Sequence, residues 1–152
     1  MAAGDLLTAD WQIEIQALLT GAGTDYRIRP KGISGLLGVP PTKTADVVFQ
    51  GQAGAYGSRD YAGPRVILVD YVIVGDDADD AVDLLNDLSA AWAPTLTDVE
   101  LHGRVPTGRH WMVSGRPRGL SEDLEFVRAQ SGGVAGVIGE FHALDPTVTW
   151  VT

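Results

Sequence analysis

The stretch Arg65–Gly75, RVILVDYVIVG, restricts the fold more than any other part of the chain. In an extended backbone Ile67, Val69, Tyr71 and Ile73 share one face, while Val66, Leu68, Val72 and Val74 share the other with Asp70. β-Branched residues at period two make this a strand. A strand apolar on both faces is central in its sheet or covered on both sides. Asp70 then requires an arginine or a backbone donor, or a place in an oligomer contact, because a buried unpaired carboxylate is costly.

The remaining patterns supply more strands and one helix. Trp11–Thr20, WQIEIQALLT, sets Trp11, Ile13, Ile15, Ala17 and Leu19 against Gln12, Glu14 and Gln16, and reads as one half-buried strand. Gly21-Ala-Gly23 turns the chain, after which Tyr26–Arg29 can pair back. Glycines and prolines interrupt residues 30–64, leaving Asp46–Phe49 as a short strand and GQAGAYGSRDYAGPR as a long loop. Asp76–Trp92 is helical: Ala78, Ala81, Val82, Leu85, Leu88 and Trp92 recur on one side, Asp76, Asp80, Asp83 and Asp87 on the other. Asp76 or Asp77 caps it and Pro94 ends it. Val99–Val105 and Arg109–Pro117 alternate around a turn at Pro106-Thr-Gly108. Leu120–Val127 and Val134–Ala143 form a closing hairpin. Strand runs without β-α alternation indicate an α+β fold that is mainly β, an antiparallel β-sandwich or open barrel flanked by a helix. The 152 residues make one domain, 1–152, with a short arm at 1–10, a core at 11–146 and a C-terminal end at 147–152.

These residues carry little reactive chemistry. The absence of cysteine excludes disulfides and thiolate sites, and the three histidines show no i, i+3 or i, i+4 metal-binding spacing. No G-x-S-x-G, H-E-x-x-H or P-loop pattern occurs, so no catalytic, cofactor-binding or metal residue is expected. His102 and His110 fall in one hairpin, close enough to share a metal or a proton, although histidines on polar strand faces are more often simply hydrogen-bonded. The Asp-rich helix lacks the glycine and closing glutamate of a calcium loop and reads as a solvated face. A net charge of −9 argues against gripping nucleic acid, whose phosphates demand basic surface. No apolar run reaches bilayer length and no leader pattern opens the chain, so a soluble protein without membrane insertion, made in the cytoplasm, is expected. The loop Tyr56, Gly57, Ser58, Arg59, Asp60 and Tyr61 sets aromatic and arginine side chains among glycines, a composition suited to a subunit interface.

The order of several short motifs resembles a known family. Gly115, Arg116, Pro117 and Arg118 precede the closing hairpin, whose last strand carries Phe141 and Ala143 before Asp145-Pro146. With GAYGSRDYAGPRVILVDYVIVG ahead of the helix, this is similar to the N-terminal, tail-tube-like domain of distal tail proteins, also called minor tail proteins, of long-tailed actinobacterial phages. The likeness spans about residues 11–150. It implies a homo-oligomer, a hexameric ring at the virion's tail tip, assembled in the host cytoplasm. Such a ring joins the tail tube, tape measure and tip or baseplate proteins and surrounds the channel through which DNA leaves, without binding it specifically. On that reading Glu14, Glu100 and Glu140 are candidate channel-facing acids. Family members often continue past the D-P into a second domain, whereas this sequence stops at Thr152, the expectation being a bare hub. A tail tube or tail terminator subunit shares the same logic. A carbohydrate-binding β-sandwich would need several of Trp11, Trp92, Trp111 and Trp150 exposed together, and the apolar-face positions of the first three favour the core instead.

Overall fold

The computed structural model of the chain describes residues 2–43, 47–48, 55–56, 61–123 and 134–151. Its elements are β1 (Gln12–Ile15), β2 (Leu18–Gly21), β3 (Tyr26–Ser34), β4 (Thr42–Lys43), β5 (Val47–Val48), β6 (Ala55–Tyr56) and β7 (Tyr61–Ala62). They continue with β8 (Arg65–Val74), α1 (Ala78–Ala91), β9 (Val99–Arg104), β10 (His110–Asp123), β11 (Val134–Ala143) and β12 (Thr149–Val151). The main sheet runs β2-β1-β9-β10-β11-β8-β3, with β12 beside β10, and every pairing is antiparallel. β4 pairs with β7 and β5 with β6 in small ladders between β3 and β8. The fold is thus mainly antiparallel β with a single helix among the described residues, sandwich-like and not closed into a barrel.

One strand belongs to both layers. His110–Gly115 of β10 pair with β9, whereas Arg116–Asp123 pair with β11, so the strand leaves the first layer and enters the second at Gly115-Arg116. The register shifts between Pro117 and Gly119, and Gly119 sits at φ 109°, a left-handed conformation that suits glycine. A bulge bends and twists its strand, which is what a corner between two layers requires. Pro117 and Gly119 look like a break between two strands in the sequence, but both are absorbed in the bulge.

The inner faces meet in one core. β1, β9 and the first part of β10 contribute Ile13, Ile15, Leu101, Trp111 and Val113, and β8 and β11 contribute Ile67, Val69, Tyr71, Ile73, Val137, Phe141 and Ala143, all buried. Helix α1, capped by the Asp77 side chain, packs Leu85 and Leu88 onto β8 and β11. Trp92, just beyond it, meets Tyr71 edge-on with ring centroids 5.9 Å apart. Burial pushes the Tyr71 phenol well above its ordinary pKa, against hydrogen bonds that act the other way.

Three expectations change. Trp11–Thr20 is two strands rather than one, because Gln16 and Ala17 adopt φ 46° and 63° and close a tight hairpin between β1 and β2. Such turns normally carry Asn-Gly, so the sequence holds no signal for this one. Trp11, expected in the core, is 56% exposed, since it occupies a left-handed turn at φ 63° before β1 begins. Tyr26–Ser34 pairs with β8, with an irregularity between Ile28 and Ile33 that accommodates Pro30. After Asp145-Pro146 the chain adds β12 to β10.

Two contacts hold the corner and the end of this fold. A Cβ on Gly115 would lie 2.4 Å from the His142 carbonyl oxygen and 2.7 Å from the Phe141 ring. The guanidinium of Arg65 is buried, has no carboxylate partner among the described residues, and donates to the carbonyls of Pro146 (2.9 Å), Gly35 (2.8 Å), Leu36 (2.7 Å) and Gly38 (3.2 Å). We expect Gly115→Ala to destabilise the fold by about 1–3 kcal/mol through overpacking, read as a lowered urea midpoint. Arg65→Lys, which cannot reach four carbonyls with one fork, should cost about 2–4 kcal/mol in the same assay.

Candidate functional site

On the outer face of the first layer, β1, β9 and β10 bring together Glu14, Glu100, His102 and His110. Glu14 lies opposite His102 in the ladder, and Glu100 shares that face two residues earlier. His102 Nδ1 is 3.0 Å from His110 Nε2, and His102 Nε2 is 2.9 Å from Glu100 Oε2. The N-terminal arm covers the cluster: the Leu6 amide donates to Glu14 (3.1 Å), and the Thr8 and Ala9 amides donate to the Gln12 side-chain oxygen (2.8 Å each). Gly4 passes over the imidazoles so closely that a Cβ would fall 2.5 Å from His110 Cε1. This cover explains why Gln12, Glu14 and His102 are buried on a face the sequence marks as polar.

The cluster corrects one expectation and sharpens another. Glu14, a candidate channel-facing acid, is only 4% exposed and its carboxylate is engaged under the arm, so it is not available to a channel wall. Glu100 and Glu140 are half-exposed, but they stand on the outer faces of different layers, each beside a histidine, His102 and His142. The two histidines expected near each other are hydrogen-bonded, and among the described residues no group of three or more His, Cys, Asp or Glu could hold a metal.

The outer face of the second layer is different. β8 and β11 are its central strands, and the register sets Val66 beside His142, Leu68 beside Glu140 and Asp70 beside Ile138. Asp70 pairs with Arg29 at 3.4 Å, one of the partners expected for it. Val66, Leu68 and Ile138 remain 39%, 37% and 42% exposed, a row of apolar side chains that no element among the described residues covers. Three ion pairs lie around it: Arg29 with Asp70, Glu140 with His142, and Arg116 with Asp98 at 2.7 Å.

The motif residues meet at the corner. Gly115 lies under Phe141 and Ala143, Arg116 opposes His142, Pro117 opposes Phe141, and the Pro146 carbonyl accepts from Arg65. Arg118 is exposed at the bulge, and Asp145 caps a local turn by accepting from Thr147, a bond that lowers its pKa. These residues therefore share a structural corner, not a pocket. Of the candidate interface loop, Gly57, Ser58, Arg59 and Asp60 lie outside the described residues, and Tyr56 and Tyr61 fall in β6 and β7. Trp92 and Trp111 are buried, whereas Trp11 and Trp150 are about half exposed.

No family model matches the chain, and the curated proteins hold no significant match. Among solved structures the chain is similar to one described as the crystal structure of the SPP1 Dit (gp 19.1) protein, "a Paradigm of Hub Adsorption Apparatus in Gram-positive Infecting Phages". The likeness has a TM-score of 0.68 at 19% identity and covers 90% of this chain. It covers 51% of that protein, so this chain spans about half of its length. At this identity the likeness is one of fold.

The histidine cluster predicts a pH dependence. His110 is held below its ordinary value of 6.5, first by burial and then by His102, while Glu14 acts in the opposite direction and Arg104 in the same one. As pH falls the unfolded chain takes up this proton first, so the stabilisation is complete above about 6.5 and fades as pH drops through the lowered value. The melting temperature should fall from pH 7 to pH 5, and His110→Gln should flatten that decline.

Proposed function

We propose that the chain is a structural, non-enzymatic subunit of a phage tail tip. Copies of it assemble into a ring, hexameric in this reading, that connects the tail tube to the tip or baseplate proteins and surrounds the DNA exit channel. The observation that carries the proposal is the uncovered apolar row Val66, Leu68 and Ile138 on the two central strands, in a fold similar to that of a phage hub protein. Solvated sheet faces are ordinarily polar, and a contiguous apolar row rimmed by paired charges fits a surface buried on assembly. The titratable groups support the same reading. The three histidines are engaged in hydrogen bonds within the fold, with each other or with Glu100 and Glu140.

A channel wall formed by one layer takes Glu140 or Glu100, not both, because the two point away from opposite sides of the sandwich. The net charge of −9 is concentrated instead on α1 and its cap, with aspartates at 76, 77, 79, 80, 83 and 87. A wall that presented α1 would offer no cation to the phosphates of passing DNA.

Light scattering behind size exclusion, with negative-stain imaging, tests the proposal. Ring-shaped particles of several copies, alone or after mixing with tail tube protein, are expected. Leu68→Glu combined with Ile138→Glu should leave a folded monomer that no longer assembles. A chain that stays monomeric at every concentration and beside tail tube protein would overturn the reading.

A further inference from the structure

A groove of about 680 Å3 runs between the turn after β2 and the irregular stretch of β3, lined by Trp11, Gly21, Arg27, Arg29, Lys31 and Ile33. Two of its residues, Trp11 and Lys31, adopt left-handed backbone angles of 63° and 62°, a strain that clusters where side chains are held for contact. Arg29 is occupied by Asp70. Arg27 and Lys31 are exposed, and among the described residues neither has a carboxylate within ion-pair distance. In a chain of net charge −9 this is a local cationic surface with an exposed indole beside it.

The same chain carries the complementary surface. Asp77 caps α1 and Asp80 accepts from the Asp76 amide, but Asp79, Asp83 and Asp87 are exposed, unpaired among the described residues and spaced i, i+4, i+8 on one stripe. Like charges four residues apart destabilise a helix, and the last turn holds no basic residue to offset them. Val82, beside this stripe, is 40% exposed although the helical period marks it for the core. The stripe is about 12 Å long, from roughly 1.5 Å of rise per residue. Arg27 and Lys31 are at most about 13 Å apart, at roughly 3.3 Å per strand residue.

We propose that the groove receives the Asp79–Asp83–Asp87 stripe of a second copy of this chain, Arg27 and Lys31 pairing with its carboxylates and Trp11 covering its Val82. Because groove and stripe are different patches of one chain, the contact is head-to-tail, the type that propagates until a rotation closes it into a ring. The inference rests on the ring reading and names its lateral contact. Charge pairing of this kind speeds encounter and weakens with salt, as the screening length falls from about 10 Å at 0.1 M to about 3 Å at 1 M.

Charge reversal on each side tests it with the full chain. One variant carries Arg27→Glu and Lys31→Glu; the other carries Asp83→Lys and Asp87→Lys. All four positions are exposed, so both should melt close to the parent. By sedimentation at low salt, each variant alone should assemble at least tenfold more weakly than the parent, and a 1:1 mixture should recover assembly, since each reversed surface then meets its complement. Should a reversed variant misfold, Arg27→Gln with Lys31→Gln and Asp83→Asn with Asp87→Asn replace them, each again weakening assembly. Variants that assemble as the parent does, or a mixture that recovers nothing, would overturn the groove–helix contact and leave the ring standing. A parent that never self-associates, alone or beside tail tube protein, would overturn both.

Discussion

The fold turns on the passage of β10 from one layer to the other at Gly115. Two sheets can share a strand only where that strand bends, and bending requires a residue without a side chain beneath the strand that crosses it. Gly115 meets this need: Phe141, His142 and Ala143 pass within the distance a Cβ would occupy. Pro117 and the left-handed Gly119 complete the bulge. The inner residues of both layers, Trp111 and Val113 before the corner and Val137 and Phe141 beyond it, face one another because the corner holds. The short motif that carries the likeness to tail proteins is thus a set of residues that make a hinge between sheets.

Arg65 secures the other end of the second layer. A buried guanidinium with no carboxylate partner among the described residues is tolerated because four of its five N–H donors find backbone carbonyls, from the loop after β3 and from the segment after β11. It joins segments far apart in sequence and closes the end of the sandwich near Pro146. The core is therefore bounded by polar contacts at its edges, and the outward faces are left to other tasks.

Those faces differ in ways the sequence pattern shows only in part. The apolar double face of β8 was legible, as was the need of Asp70 for a partner, an arginine, a backbone donor or an oligomer contact; Arg29 is the one found. The helix was legible within a residue or two, because its period and caps are local properties. The hairpin at Gln16-Ala17 was not, since neither residue favours the left-handed region that both occupy. Nor was the burial of Glu14 and His102: their alternation marks a solvated face, and only the arm folding back over it makes them interior. Trp11 shows the converse, an aromatic in an alternating run that the turn before β1 places outside. The candidate channel acids were placed on polar strand faces by alternation, for a channel that the resemblance implies, and alternation assigns a face but says nothing of what covers it.

The sequence by itself determined the class of fold, the central strand, the acidic helix and the lack of a recognisable catalytic pattern, because these follow from composition and from periods of two and 3.6 residues along the chain. The tertiary structure decided which layer each strand joins, which polar face is buried under the arm, and which surfaces are left without a partner. Those depend on contacts between residues distant in sequence, such as Gly115 with Phe141, Arg65 with Pro146 and Leu6 with Glu14. No local pattern encodes the meeting of two segments, so the surfaces that an assembly would use became visible only once the chain was folded.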